Sequence, residues 1–284
     1  MTDWQLLAEF ADNNERIGDS FPCSMIMDQP EVAQTSEYWT DARAPLSSLL
    51  FLLPWMLVYE AGVLSIGAGD ADTYRNGADY WMRLLLGRVG AAQVLLPLLV
   101  LAVLLLWHLI GRFPWRVSFL TLGGMLAESV LLAIVLLSAG RLHDFAFHWS
   151  HSGGAMSGPV LNGISPTCVQ AVSFVGAGVY EEVMFRLCLI PAAWLVFRMF
   201  EFPSLAAALM AAICTSFLFA LAHHVGPAAD AFNLFVFSFR TLAGLFFSAV
   251  FLLRGFGITV GCHAAYDLMV GMLLAVIPGA EVGV

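Results

Sequence analysis

Long apolar runs are the feature that most constrains the fold of this chain. A helix needs about 20 apolar residues to cross the hydrocarbon core of a bilayer. Runs of this kind lie near 46–66, 89–110, 117–139, 170–199, 204–223, 231–253 and 257–277. The chain is 60% hydrophobic and only 12% charged, far from the balance of soluble domains. The sequence therefore predicts an all-α polytopic membrane protein, a bundle of roughly seven to eight transmembrane helices with any active site inside it.

The charged residues are concentrated at one end of the chain. Residues 1–44 hold nine carboxylates and two arginines, and so carry −7 of the net charge of −9. We expect this segment to be an acidic polar tail, followed by a transmembrane domain at 45–280. Lysine is absent and no basic patch exists, which argues against nucleic acid as a partner. The expected surroundings are a lipid bilayer.

The arginines also give an orientation. With seven spans, six arginines fall on the side of the N-terminus and four on the other side, which favours a cytoplasmic N-terminus. The lack of lysine beside abundant Ala, Leu, Gly and Arg is typical of a GC-rich prokaryotic genome. The expected location is thus a prokaryotic plasma membrane.

A first group of ionisable residues interrupts the fourth apolar run. A charge at the centre of a bilayer costs on the order of 2.5–3.5 kcal/mol, so such residues need partners or a function. Glu182 and Arg186 are four residues apart and share a helix face. Glu181 points about 100° away from them and has no partner in its own segment. We expect Glu182–Arg186 to be the more structural pair, and Glu181 to face something else.

Two further groups lie in later apolar runs. Phe219 and His223 are one turn apart at the end of one run, and His224 beside them is a secondary candidate. His263 and Asp267 repeat the four-residue spacing in the last run. Residues this costly to bury are expected to face the bundle interior and meet one another. Any one group alone is as readily explained as packing or interhelical bonding, and the three together favour a function.

Weaker candidates remain outside these groups. Glu60 and Glu128 are single carboxylates in apolar runs. Arg240 has no evident local partner, and Asp230 is too far away in sequence to be assigned as its pair. The interval 140–168 is expected to be a loop that carries a histidine cluster. Its HxxH spacing can bind a metal, although an interfacial amphipathic segment is the favoured interpretation. The cluster comprises His143, His148 and His151.

The ordered motifs EExxxR, FxxxH and HxxxD resemble those of the CPBP family. These are intramembrane endopeptidases of the CAAX prenyl protease type II and bacteriocin-processing or immunity (ABI) type. The matching segments are EEVMFR (181–186), FALAH (219–223) and HAAYD (263–267). The resemblance covers about 165–275, which it marks as the catalytic core.

The resemblance implies a role for each residue. It gives Glu181 the activation of water, His223 the assistance of that step, and His263 with Asp267 the stabilisation of the oxyanion. Many members of the family carry Asn where this chain has Asp267, and an ionised Asp cannot donate a hydrogen bond. Asp267 is therefore expected either to be protonated or to orient His263. Glu182, Arg186 and Phe219 are expected to support the site.

Chemistry independent of the resemblance agrees with these roles. Peptide hydrolysis needs a general base, a held water and donors for the developing oxyanion. No GxSxG or HExxH motif is present. No cofactor is expected, and the alternative is a zinc ion bound by Glu181, His223 and His263, whose side chains suit that metal.

We therefore predict an intramembrane endopeptidase that cuts a membrane-associated protein or peptide. CAAX-type prenylated substrates, peptide maturation and processing of sorting tags are all known for this family, and a prokaryotic source makes the first less expected. Two other classes are open. One is a proton- or ion-coupled transporter that uses the same Glu/His network as a relay. The other is a non-catalytic, immunity-type membrane protein.

Overall fold

The computed structural model describes residues 30–67, 75–88, 95–150, 168–226 and 229–273. These residues are helical or lie in short connections between helices. When the continuous stretch 168–199 is counted once, the described residues form nine helices. In chain order they are α1 Pro30–Arg43, α2 Pro45–Gly67, α3 Gly77–Arg88, α4 Leu95–Ile110, α5 Phe119–Ser150, α6 Cys168–Glu182 with its continuation α7 Ile190–Met199, α8 Ser204–Ala222, α9 Leu234–Arg254 and α10 Phe256–Leu268.

The prediction of an all-α polytopic membrane protein is confirmed. Within the described part of the chain, four helices are long and apolar enough to cross a membrane: Pro45–Gly67, Phe119–Phe147, Ser204–Ala222 and Leu234–Arg254. The apolar helix α4 is shorter. The helix count exceeds the expected seven to eight because α1 and α3, both too short to span a bilayer, add to the apolar helices.

Two connections between the predicted apolar runs are partly helical. The interval 67–88, between the first and second runs, contains α3. The interval 140–168 was expected to be a loop, but α5 continues through it as far as Ser150. His143 is therefore on a helix, where its Nε2 lies 2.9 Å from Ser238 Oγ and its ring packs against aromatic rings of α9. The side chain of His148 and residue His151 lie outside the described residues, as does most of the acidic segment 1–44.

Helix α10 lies at the centre of the bundle. Its first nine residues, 256–264, are all buried, as expected for a helix that is covered on every side. It packs against α5, α6, α2 and α9. Close approach depends on glycine at one position in particular: a Cβ on Gly178 of α6 would lie 2.6 Å from the backbone nitrogen of Ala264. The absence of a side chain there brings the end of α6 directly against α10.

The stretch between α6 and α7 is π-helical. Residues Val183–Leu189 form this segment without breaking the helix. A π segment inside a longer helix is uncommon and frequently lies at functional sites. Here it starts immediately after the two glutamates, and Phe185 and Arg186 are both buried within it. It therefore sets the direction in which the EEVMFR side chains enter the core.

Candidate active site

The paired glutamates end α6 and point in different directions. Glu182 is fully buried, and its Oε1 accepts a hydrogen bond from Arg186 Nη1 at 3.0 Å. Arg186 Nη2 donates to the carbonyl oxygen of Gly244 at 3.0 Å, which joins this pair to α9. Glu181 does not take part in this pair and lines a cleft instead. The helix therefore divides the two carboxylates between an interior pair and an accessible group.

His263 on α10 is held from one side by the interior pair. Its Nδ1 lies 2.6 Å from Glu182 Oε1, and a carboxylate at this position makes Nδ1 the protonated nitrogen. The ring of Phe247 stacks on the imidazole, with 4.5 Å between centroids and 17° between planes. The other nitrogen, Nε2, lies 4.0 Å from Glu181 Oε2 and 3.5 Å from Asp267 Oδ2. The orientation of His263 is thus fixed, with Nε2 toward two carboxylates.

His223 approaches Glu181 from the end of α8. Its Nδ1 lies 2.8 Å from the carbonyl oxygen of Phe219. Because a carbonyl only accepts, Nδ1 carries a proton and Nε2 of the neutral ring is an acceptor. That Nε2 lies 3.8 Å from Glu181 Oε2. The Phe219 ring meets the imidazole edge-on at 5.0 Å and lies 4.7 Å below the Arg186 guanidinium, which explains the one-turn spacing of Phe219 and His223.

One carboxylate oxygen therefore faces two imidazoles from two other helices. Separations of 3.8 and 4.0 Å from Oε2 of Glu181 to Nε2 of His223 and His263 are too long for direct hydrogen bonds. They suit a single bridging water, because two hydrogen bonds of about 2.8 Å can span them. The structure thus brings together Glu181, His223 and His263, the three groups that the sequence predicted would meet.

A cleft of about 520 Å³ gives access to Glu181 and His223. It lies between the turn that starts α3 and the end of α8. Partly exposed Tyr80 and Trp81 are among the residues that line it. The cleft is also lined by Arg75, Asn76, Met184, Phe185 and Asp230.

Asn76 is a site residue that the sequence analysis missed. Its Nδ2 donates to the second oxygen of Glu181, Oε1, at 3.1 Å. The residue stands immediately before α3, and its Oδ1 accepts from the backbone nitrogen of Ala78 at 2.8 Å. Asn before a helical segment is a recognisable N-cap signal. The sequence could have placed the cap, but not the contact of the cap with a residue 105 positions later.

The remaining candidates have other partners. His224 lies beyond the end of α8, where its Nδ1 is 3.0 Å from the carbonyl oxygen of Asp230 and its ring packs against Phe232. This places the secondary candidate in the connection to α9, and it is not among the cleft-lining residues. Arg240 and Asp230, which the sequence alone did not assign as a pair, form an ion pair at 2.7 Å.

The two single carboxylates are also paired. Arg83 Nη2 lies 2.7 Å from Glu60 Oε1, which also accepts a hydrogen bond from the Tyr180 hydroxyl. Glu128 pairs with Arg254. Glu60 and Glu128, which the sequence showed as single carboxylates, therefore have partners from distant segments of the chain.

A metal site was the alternative interpretation of the same residues. Across the described ranges, no group of three His, Cys, Asp or Glu side chains has the arrangement of a metal-binding cluster. The Nδ1 atoms of His223 and His263 are both engaged, and both Nε2 atoms face one oxygen of Glu181. Glu181, His223 and His263 have donor types that suit zinc, but among the described residues they are not arranged as a metal-binding cluster, and the same atoms can hold a water.

One known protein family resembles the part of the chain that carries these residues. Residues 164–269 match the family model described as type II CAAX prenyl endopeptidase Rce1-like. This region is therefore similar to that family over somewhat more than a third of the chain. The match contains the three motifs and the helices that carry them, and so agrees with the resemblance seen in the sequence. No curated protein and no solved structure matches the chain.

The similarity to the Rce1-like family supports protease activity. The apolar helices and the family match agree that the chain is an integral membrane protein. The Rce1-like region begins near α6 and ends at the start of the π-helical turn after α10. The helices before it supply Asn76, which lies outside the matched residues.

Proposed function

We propose that the protein is an intramembrane endopeptidase in which Glu181 and His223 activate a water molecule for attack on a peptide bond. One observation carries the proposal: Oε2 of Glu181 lies 3.8 Å from Nε2 of His223 and 4.0 Å from Nε2 of His263. A water at this point would contact the base and an orienting imidazole. Both imidazoles are held by fixed Nδ1 contacts, as a preorganised site requires.

The first chemical step is attack by that water. One O–H bond of the water breaks, its proton passes to Oε2 of Glu181, and its oxygen forms a bond with the substrate carbonyl carbon. The π-electron pair of the carbonyl moves onto its oxygen. The contact with Phe219 O fixes the proton of His223 on Nδ1, which leaves Nε2 as an acceptor. Nε2 accepts a hydrogen bond from the second O–H of the water and so orients the attacking lone pair.

The oxyanion is stabilised by His263 in this proposal. Nδ1 of His263 donates to Glu182. For Nε2 to donate at the same time, both nitrogens must carry a proton, so the ring acts as an imidazolium. Carboxylates face both of its nitrogens, because Asp267 Oδ2 lies 3.5 Å from Nε2. Asp267 thus orients the ring and balances its charge, the role open to an Asp where many relatives have Asn.

Collapse of the tetrahedral intermediate completes the reaction. Glu181 returns the proton from Oε2 to the amide nitrogen, the C–N bond breaks, and the oxyanion electrons re-form a carbonyl. The products are a new carboxyl terminus and a new amine. The burial of Glu181 and His263, which are 9% and 4% exposed, keeps competing bulk water from these charges and strengthens each interaction.

The substrate proposed is a membrane-associated protein or peptide whose scissile segment enters the cleft beside Trp81. Hydrolysis is tested with the purified full chain in proteoliposomes and an internally quenched, farnesylated peptide that ends in a CAAX box. The unprenylated peptide is assayed in parallel. Cleavage in H₂¹⁸O that places ¹⁸O in the new carboxyl terminus supports the reaction.

The variants Glu181→Gln and His223→Ala decide the role of the site. Both are expected to lose cleavage, whereas Glu201→Gln, in the exposed connection after α7, is expected to keep it. Equal cleavage by the two site variants and the control contradicts the proposal.

A further inference from the structure

The amide orientation of Asn76 is fixed by a backbone contact. Asn76 Oδ1 lies 2.8 Å from the backbone nitrogen of Ala78, and a backbone N–H can only donate. The oxygen of the amide must therefore face Ala78, and the amino group must face Glu181. The 3.1 Å contact between Nδ2 and Glu181 Oε1 is consequently a donation to the carboxylate.

A buried polar network holds Asn76 in this place. Its backbone N–H donates to the Tyr59 hydroxyl at 2.9 Å, and that hydroxyl donates to Asp79 Oδ2 at 2.8 Å. Asp79 also bonds Arg75 and Arg83, at 2.9 and 2.5 Å. Burial alone would lower the pKa of Arg75, but the hydrogen bond and charge of Asp79 raise it above its usual range. Arg75 therefore stays charged beside Asp79, and the hydrogen bonds of the network fix the turn before α3.

The donation has a chemical consequence for Glu181. An N–H bond occupies Oε1, and an amide amino group has no lone pair with which to accept a proton from a carboxyl group. A proton taken up by Glu181 is then best placed on Oε2, the oxygen that faces His223 and His263. The two oxygens of one carboxylate thereby have different tasks.

We propose that Asn76 is a positioning residue that keeps Oε2 of Glu181 as the oxygen that receives the proton of the attacking water. This inference rests on the proposed hydrolysis. Asn76 does not touch the reacting atoms, and it acts through Glu181. It also connects the catalytic region to the earlier part of the chain, because the turn before α3 supplies the donor and α6 supplies the acceptor.

The competing explanation is that Asn76 serves only as the N-cap of α3. Asn76→Ser separates the two roles, since serine keeps an acceptor for the helix N-terminus but is too short to reach Glu181. Asn76→Asp also keeps the cap while it replaces the donor with a second carboxylate. Asn233 offers a matched control: it caps α9 through Oδ1, which accepts from the backbone nitrogens of Phe235 and Val236 at 2.9 and 3.4 Å.

The first experiment is infrared difference spectroscopy on the full chain in proteoliposomes, recorded between acidic and neutral pH. The band that Glu181→Gln removes is the carbonyl stretch of the protonated Glu181 carboxyl group. We expect this band to shift in Asn76→Ser and Asn76→Asp and to stay unchanged in Asn233→Ser. An unchanged band in both Asn76 variants overturns the inference.

The second experiment measures kinetics with the quenched peptide. Asn76→Ser loses a hydrogen bond to the charged Glu181. We therefore expect kcat to fall about 10- to 100-fold in this variant, with KM within about twofold of the wild type. Asn233→Ser is expected to match the wild type. A loss that appears only in KM, or an equal loss in Asn233→Ser, contradicts a positioning role.

The two experiments separate the two proposals. If the wild type cuts neither the farnesylated nor the unprenylated peptide, CAAX-type cleavage fails, while the infrared band still reports whether Asn76 bonds Glu181. If the wild type cuts the peptide and Asn76→Ser cuts it equally well, the endopeptidase proposal stands and the positioning role is wrong.

Discussion

Glu182 Oε1 lies 2.6 Å from Nδ1 of His263, and this contact decides which nitrogen of the ring faces Glu181. The same oxygen accepts from Arg186 at 3.0 Å. One buried carboxylate oxygen thus orients an imidazole and neutralises a guanidinium. The two glutamates therefore differ in their contacts: Glu182 holds Arg186 and His263, and Glu181 lines the cleft.

Glu182→Gln tests the structural half of this division. The change leaves Arg186, which is 1% exposed, without its counter-charge. Removal of one partner of a buried ion pair costs about 3–5 kcal/mol. We expect a large loss of stability in thermal unfolding of the detergent-solubilised protein. Glu181→Gln is the matched control and is expected to unfold near the wild-type temperature, since its Oε2 lies 3.8 and 4.0 Å from the nearest imidazole nitrogens, too far for a direct hydrogen bond. Equal melting of the two variants would show that the division is wrong.

Gly178→Ala tests the close approach of α6 and α10. The added Cβ would lie 2.6 Å from Ala264 N and 2.7 Å from Ala264 Cβ. Overpacking of this kind typically costs about 1–3 kcal/mol. Because the contact sets the separation of Glu181 from His263, cleavage should fall together with stability.

Gly123→Ala provides the control for that substitution. It lies on α5, and a Cβ there would meet nothing within 4 Å. Alanine is the better helix former by about 0.8–1.0 kcal/mol, so this variant should be at least as stable as the wild type and fully active. A Gly178→Ala protein that melts and cuts like Gly123→Ala is the outcome that contradicts the packing argument.

Metal removal tests whether water activation depends on the side chains alone. In the proposed mechanism Glu181 takes the proton and no step passes through a metal, so cleavage is expected to survive exhaustive treatment with 1,10-phenanthroline. Metal content of the purified protein is measured in the same samples. Loss of cleavage with loss of zinc, restored by added zinc, would instead assign Glu181, His223 and His263 as ligands.

Local spacing was sufficient to predict much of the site. The four-residue intervals from Glu182 to Arg186, from Phe219 to His223 and from His263 to Asp267 place each pair on one face of a helix. The high cost of buried charge then required the groups to meet. Both arguments depend only on helix geometry and solvation, and these act within a short segment.

Contacts between distant segments could not be predicted in this way. Asn76 reaches Glu181, and Glu60 reaches Arg83 and Tyr180, only because α2, α3 and α6 pack together. Helix α5 was cut short in the prediction because its end carries histidines and polar residues, whereas packing of His143 against α9 continues the helix. The π segment after Glu182 has no signal in the apolar pattern.

The most direct test of the central claim, that Glu181 activates water to cut membrane proteins, is quantitative proteomics of membrane-protein termini. Cells that carry the wild type, Glu201→Gln and Glu181→Gln at equal abundance are compared. We predict a set of new C-termini that the wild type and Glu201→Gln produce and that Glu181→Gln does not. Identical termini in all three, with biological activity retained in Glu181→Gln, would contradict catalysis and favour a non-catalytic membrane protein.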